Sequence, residues 1–149
     1  MTGGNGTAAA LALGAGLAGS TQVAVMGRFG DRIGSLEALT FSLGLSTVVA
    51  GLVLAVARRG TGGLGEALTS PKWLWLGGVL GAFVVFTITV VGPQLGTTAT
   101  IALLIAGQLA MGALIDRFGG FGVEQVALGW PRLVGIALLA VGAALTLKQ

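Results

Sequence analysis

Five runs of about twenty mainly apolar residues, each stopped by charge, proline or a glycine cluster, constrain this chain more than any other feature. In hydrocarbon no water can satisfy a backbone N–H or C=O, so a run of that length is an α-helix. The first run is 7–26, closed by Arg28, Asp31 and Arg32. The second, 36–57, is closed by Arg58-Arg59 and a loop from Gly60 to Gly65. The third, 72–91, follows Ser70-Pro71, carries Trp73 and Trp75 at the depth of an interfacial aromatic belt, and is broken by Gly92-Pro93. The fourth, 94–115, ends at Asp116-Arg117 and the loop from Phe118 to Gly122. The fifth, 131–147, opens with Trp130-Pro131-Arg132, a proline suited to a first helical turn, and ends at Lys148. It is the shortest and crosses only with Trp130 and Lys148 at the two interfaces. The expected fold is therefore all-α: one transmembrane domain over 1–149, a bundle of five spanning helices in a lipid bilayer.

Composition excludes most other classes. Only 9% of the 149 residues are charged, eight Lys/Arg and five Asp/Glu, which cannot cover a water-facing globule. The basic residues sit at the ends of apolar runs, as interfacial anchors and not as a nucleic-acid surface. The chain has no Cys and no His, so disulfides, thiolates, imidazole bases and the commonest metal ligands are absent. No nucleophile, base and orienting group can be assembled from what remains, so neither an enzyme, a cofactor nor a metal site is expected. The opening Met1 to Gly6 lacks the positive start of a secretory signal, and the first run is expected to stay in the mature protein.

Glycine and alanine recur at helix-packing spacing. Ala15 with Gly19, Gly77 with Gly81, and Ala106 with Ala110 are small-xxx-small pairs, which let backbones approach where packing and not the hydrophobic effect drives association.

No charge falls near the centre of a run, so amides and hydroxyls are the candidates for function. On the fourth run Gln94, Thr98, Ile101, Ile105, Gln108, Gly112 and Asp116 recur at offsets of three, four and seven, one face of a helix. On the second run Ser42 and Ser46 lie one turn apart; the first contributes Gln22 and the third Thr87. Two readings compete. These groups line a path for a small solute, or they bond back to their own helices and bridge neighbours, contributing about 0.6 kcal/mol each. Glu37 beside Arg32 and Ser35, and Asp116 beside Arg117, are carboxylates that could couple transport to an ion. Placement at a helix terminus or in an interfacial pair also explains them.

Three stretches carry a family resemblance. Trp73 to Ala82, Gly92 to Gly96, and Ala106 to Leu109 leading into Leu114 to Gly119, followed by Arg132 to Ile136, resemble the YdcZ-like family of small bacterial inner-membrane proteins in the drug/metabolite transporter superfamily. The resemblance implies a five-helix module that occurs singly, paired or duplicated, a pattern associated with antiparallel assembly. It matches Gln22 to an amide of the first helix and Gln108 to a Gly-Gln pair of the fourth. The chain departs from it at Met26, where a second amide is expected. It also lacks the first-helix carboxylate on which small multidrug exporters of the superfamily rely, unless Glu37 or Asp116 substitutes. The function expected is a secondary transporter for a small solute in the bacterial inner membrane, acting as a dimer by alternating access. The alternative is a non-transporting assembly partner.

Orientation follows from the Lys/Arg count on alternate sides. Arg58, Arg59, Lys72, Arg117 and Arg132 share the N-terminal side, against Arg28, Arg32 and Lys148 opposite. So small a bias fits a single topology or a dual-topology, antiparallel homodimer. If the chain inserts both ways, a C-terminal reporter is exposed on both faces of the membrane in comparable amounts; exposure on one face alone excludes dual topology.

Overall fold

The computed structural model describes residues 3–58 and 62–147. Among them every regular element is helical. Arg59, Gly60 and Lys148, which enter the sequence expectations, lie outside the described residues. The elements are α1 (Gly3–Ile33), α2 (Ser35–Arg58), α3 (Gly62–Thr69), a 3₁₀ turn (Lys72–Trp75), α4 (Leu76–Leu95), α5 (Thr97–Phe118), a second 3₁₀ turn (Gly120–Gly122) and α6 (Trp130–Thr146). Four stretches are long and apolar enough to cross a membrane: Gly6–Ile33, Ser35–Ala57, Lys72–Leu95 and Thr97–Phe118. The 17 residues of α6 rise about 25 Å, short of a hydrocarbon core of about 30 Å.

Several helix ends fall elsewhere than the charge pattern predicts, for one reason. Charge ends an apolar run without ending a helix. α1 continues through Arg28, Asp31 and Arg32 and stops at Gly34, whose φ of 100° only glycine adopts freely. The Gly34 amide donates to the Gly30 carbonyl at 2.8 Å, and Ala38 N–H donates back to Gly34 at 3.0 Å, so α2 begins within one residue. Gly62 to Gly65, expected as loop, begins the short helix α3. Its end is held by Ser70, whose hydroxyl and amide both donate to the Glu66 carbonyl, and by Trp75, whose indole N–H donates to the Ala67 carbonyl at 3.1 Å.

The expected break at Gly92-Pro93 is not a break. Pro93 lies inside α4, which runs to Leu95, and the chain turns at Gly96 with φ 78°. A proline so near a helix end forfeits one intrahelical bond. Gln94 therefore belongs to the last turn of α4, and the polar stripe predicted from Gln94 onward starts at Thr98 on α5.

The chain divides into two compact units, Met1–Ala24 with Gln94–Gln149, and Val25–Pro93. Within the second, the end of α1 meets α4 through glycines. A Cβ at Gly27 would lie 3.1 Å from the Pro93 ring and one at Gly30 2.6 Å from the Thr89 methyl. Thr89 is buried and its hydroxyl donates to the Val85 carbonyl at 2.7 Å, so it cannot yield. Phe29 and Phe41 stack edge-on at 5.6 Å across α1 and α2. In the first unit α5 packs along α6. The small residues singled out by spacing stand differently: nothing lies within 4 Å of a Cβ at Gly19, Gly77 or Gly81.

Gly30→Ala forces the buried Thr89 to move and is expected to destabilise the protein by about 1–3 kcal/mol. Gly51→Ala on α2, where a Cβ meets nothing, is expected to be neutral or stabilising by about 0.5–1 kcal/mol. Thermal unfolding of the two variants in detergent checks the contrast.

Candidate functional site

The candidate site is the seam between α5 and α6. On α5, Thr98, Ile101, Ile105, Gln108, Gly112 and Asp116 fall on one face, and the structure turns that face toward α6. A matching period runs along α6 through Arg132, Gly135, Leu139, Gly142 and Thr146. Glycine at 112 and 135 leaves space where a side chain would fill the groove.

Two hollows open along this seam. One, of about 460 Å³, is lined by Thr98, Ile101 and Ile105 of α5, by Leu139 and Thr146 of α6, and by Ser20 of α1. The other, of about 260 Å³, is lined by Gln108, Gly112 and Ala113 of α5 and by Arg132, Gly135 and Leu139 of α6. Leu139 lines both. The first carries hydroxyls in its lining, the second an amide and a guanidinium.

Asp116 accepts a hydrogen bond from the Arg132 guanidinium, an ion pair joining the end of α5 to the start of α6. The sequence suggests Arg117 as its interfacial partner. Neighbours in a helix point about 100° apart, so Arg117 cannot turn to the same face. The loop after α5 supports this end. Gly119 caps the helix in the left-handed conformation and donates to the Ile115 carbonyl. Val126 N–H donates to the Asp116 carbonyl at 2.9 Å, and the Gln125 amide to the Phe118 carbonyl at 3.3 Å.

The structure thus brings Thr98, Gln108 and Asp116 onto one seam and adds Ser20, Arg132, Leu139 and Thr146. The period along the fifth run carried that signal in the sequence. Gln22 is exposed on α1 and lines neither hollow. Ser42, half-buried, and Ser46, exposed, lie on α2 in the other unit. Thr87 of the same unit donates its hydroxyl to the Phe83 carbonyl at 2.8 Å. Glu37 folds its carboxylate over Gly34, where a Cβ would strike it. A further hollow of about 520 Å³ is lined by Val25, Arg28, Phe29, Asp31 and Arg32, all on α1.

Long apolar helices and a polar seam between two of them define a multi-pass membrane protein. The family described as "Putative inner membrane exporter, YdcZ" matches residues 7–145, and the chain belongs to it. It is also similar to the inner membrane protein YdcZ of Escherichia coli (strain K12), 38% identical over 104 residues that cover 66% of this chain and 69% of that one. No solved structure matches. The protein is thereby an inner-membrane protein of the transport class.

Asp116→Ala and Arg132→Ala are each expected to lower the unfolding free energy by about 0.2–1 kcal/mol, and the double variant by no more than the larger single loss. Thermal denaturation of the three variants in detergent provides the cycle; strictly additive losses would mean the two side chains do not interact.

Proposed function

We propose that the protein is a secondary transporter for a small solute, built as an antiparallel dual-topology homodimer of five-span subunits. The α5–α6 seam carries the solute, and opposite ends of it open in turn. The observation that carries this reading is that two polar-rimmed hollows lie in series along one seam with a single apolar side chain, Leu139, lining both. Alternating access needs that arrangement: a solute held from either side, and a waist that admits it from only one side at a time.

In this reading Thr98 and Gln108 contact the solute at the two ends, and Leu139 is the constriction. Gln108 is the more discriminating of the two, because an amide offers both donors and acceptors. α6 is the fifth span, its 17 residues completed at one end by Trp130 at the interface. A second copy has surfaces to occupy. None of the membrane-length window of α2 is buried within the chain, and Gly19, Gly77 and Gly81 face open space. Ala15 with Gly19, Gly77 with Gly81 and Ala106 with Ala110 are assigned to helix contacts in that dimer. The description of the family as an exporter supports transport over the assembly-partner alternative, in which the polar seam only joins helices.

The full chain reconstituted in liposomes loaded with a broad metabolite mixture is expected to release at least one component down its gradient, as measured by mass spectrometry of the external medium. Leu139→Trp is expected to abolish release by plugging the waist, and Gln108→Ala to reduce it at least tenfold with the helical content unchanged. Absence of flux from the wild type over the whole mixture would overturn transport in favour of the assembly partner.

A further inference from the structure

We propose that the hollow between Gln108 and Arg132 binds the carboxylate of a small organic acid, so that the solute class is a small organic anion; this rests on the seam being the solute path. The lining decides the sign of the charge. Arg132 is the charged side chain of this hollow, Gln108 its polar one, and Leu109, Gly112, Ala113, Gly135, Ile136 and Leu139 are apolar or lack a side chain. A cation placed there meets a guanidinium, while the nearby Asp116 carboxylate lies outside the lining and is engaged by Arg132. An anion meets a planar fork of N–H donors whose spacing matches a carboxylate, with the Gln108 amide to hold a second polar group. The apolar walls suit the hydrocarbon part, and about 260 Å³ admits a molecule the size of benzoate.

Asp116 occupies the Arg132 guanidinium from the end of the seam, outside this lining. Its side chain is 24% exposed and that of Arg132 40%. An ion pair that the protein leaves partly uncovered at the ends of two helices holds weakly. A solute carboxylate can therefore compete for the guanidinium, and in doing so it releases the link between α5 and α6 at that end. The solute's own charge unlatches the seam, which couples binding to opening. Asp116 is then a resident stand-in for the ligand: a carboxylate on a tether, at the donor the solute must reach.

The test uses the full chain in detergent, its thermal unfolding followed by tryptophan fluorescence, with sodium benzoate, benzylammonium chloride or inorganic phosphate at equal ionic strength. Benzoate is expected to raise the wild-type midpoint by several degrees, as a ligand that binds only the folded state does, while benzylammonium and phosphate leave it unchanged. Arg132→Gln is expected to lose the benzoate shift. Asp116→Asn breaks the same ion pair but leaves the guanidinium, and it is expected to enlarge the shift by removing the internal competitor. A purely structural pair would make the two variants behave alike, and that result overturns the proposal. So does a benzylammonium or phosphate shift equal to that of benzoate, or no benzoate shift in the wild type. Benzoate binding without liposome flux of any solute removes the transport reading and leaves this site; flux of amines without a benzoate shift removes the anion class and leaves transport.

Discussion

In hydrocarbon the backbone must satisfy itself, and nearly every feature of this structure follows from that. The requirement makes each apolar run a helix. It also governs the side chains: Ser20, Thr21, Thr40, Thr47, Thr87, Thr89 and Thr100 each donate a hydroxyl proton to the carbonyl four residues earlier, at 2.7–3.1 Å. A hydroxyl bonded to its own helix is no longer an unsatisfied group in lipid, so it needs no neighbour. An amide has more donors and acceptors than its own turn can use, which is why Gln108 is a better marker of a working surface than any of the threonines. Departures from helix are confined to the connections. Gly34, Gly96, Gly119 and Gly122 take positive φ where one helix ends and the next begins.

Because lipid tails are as apolar as leucine, burial gives helices little reason to meet, and close contact depends on shape. Gly27 and Gly30 supply it for α1 by accepting the Pro93 ring and the Thr89 methyl, and both partners are rigid: one is a ring, the other a β-branched side chain held by its own hydrogen bond. Pro93 therefore serves as a packing surface at the cost of one backbone bond. The α5–α6 seam uses glycine in the opposite sense. Gly112 and Gly135 line a hollow that no side chain fills, so the same residue type closes one contact and opens another.

Four of the five expected spans return as helices long and apolar enough to cross a membrane, because hydropathy over about twenty residues integrates many weak preferences; the fifth run returns as the shorter α6. Boundaries were not legible, because a helix can continue through Arg28, Asp31 and Arg32 after it leaves the apolar run, and only Gly34 stops α1. Gly92-Pro93 looks like a break in one dimension, yet Pro93 sits close enough to the end of α4 to be carried by it. The seam was half legible. The period from Thr98 to Asp116 gives the α5 face correctly, whereas Gln94 continues the arithmetic across a turn that ends the helix. Arg132 was hidden in a flanking motif, since a proline and a tryptophan beside it account for its position without assigning it a partner. The Gly27 and Gly30 contact could not be found by spacing at all. It depends on which helix arrives opposite, and Gly27 and Gly30 are three apart, off the four-residue spacing that Ala15 with Gly19 and Gly77 with Gly81 satisfy.

A transport path must hold its solute weakly enough to let it go, and the seam proposed as that path suits weak holding. Each end offers few polar groups, Thr97, Thr98, Thr146 and Ser20 at one and Gln108 with Arg132 at the other, and the residue common to both linings, Leu139, is apolar. Gln108 and Arg132 line the same hollow, so in the proposed path one solute meets the amide and the guanidinium together. On that proposal, movement past Leu139 exchanges the polar contacts of one hollow for those of the other. A buried, unpaired charge in the waist would trap an opposite charge or exclude a like one; an apolar side chain does neither, and excludes water as well. The absence of charge from the middle of every apolar run, which helped mark the chain as one for the membrane, is also what the gate proposed for this seam requires.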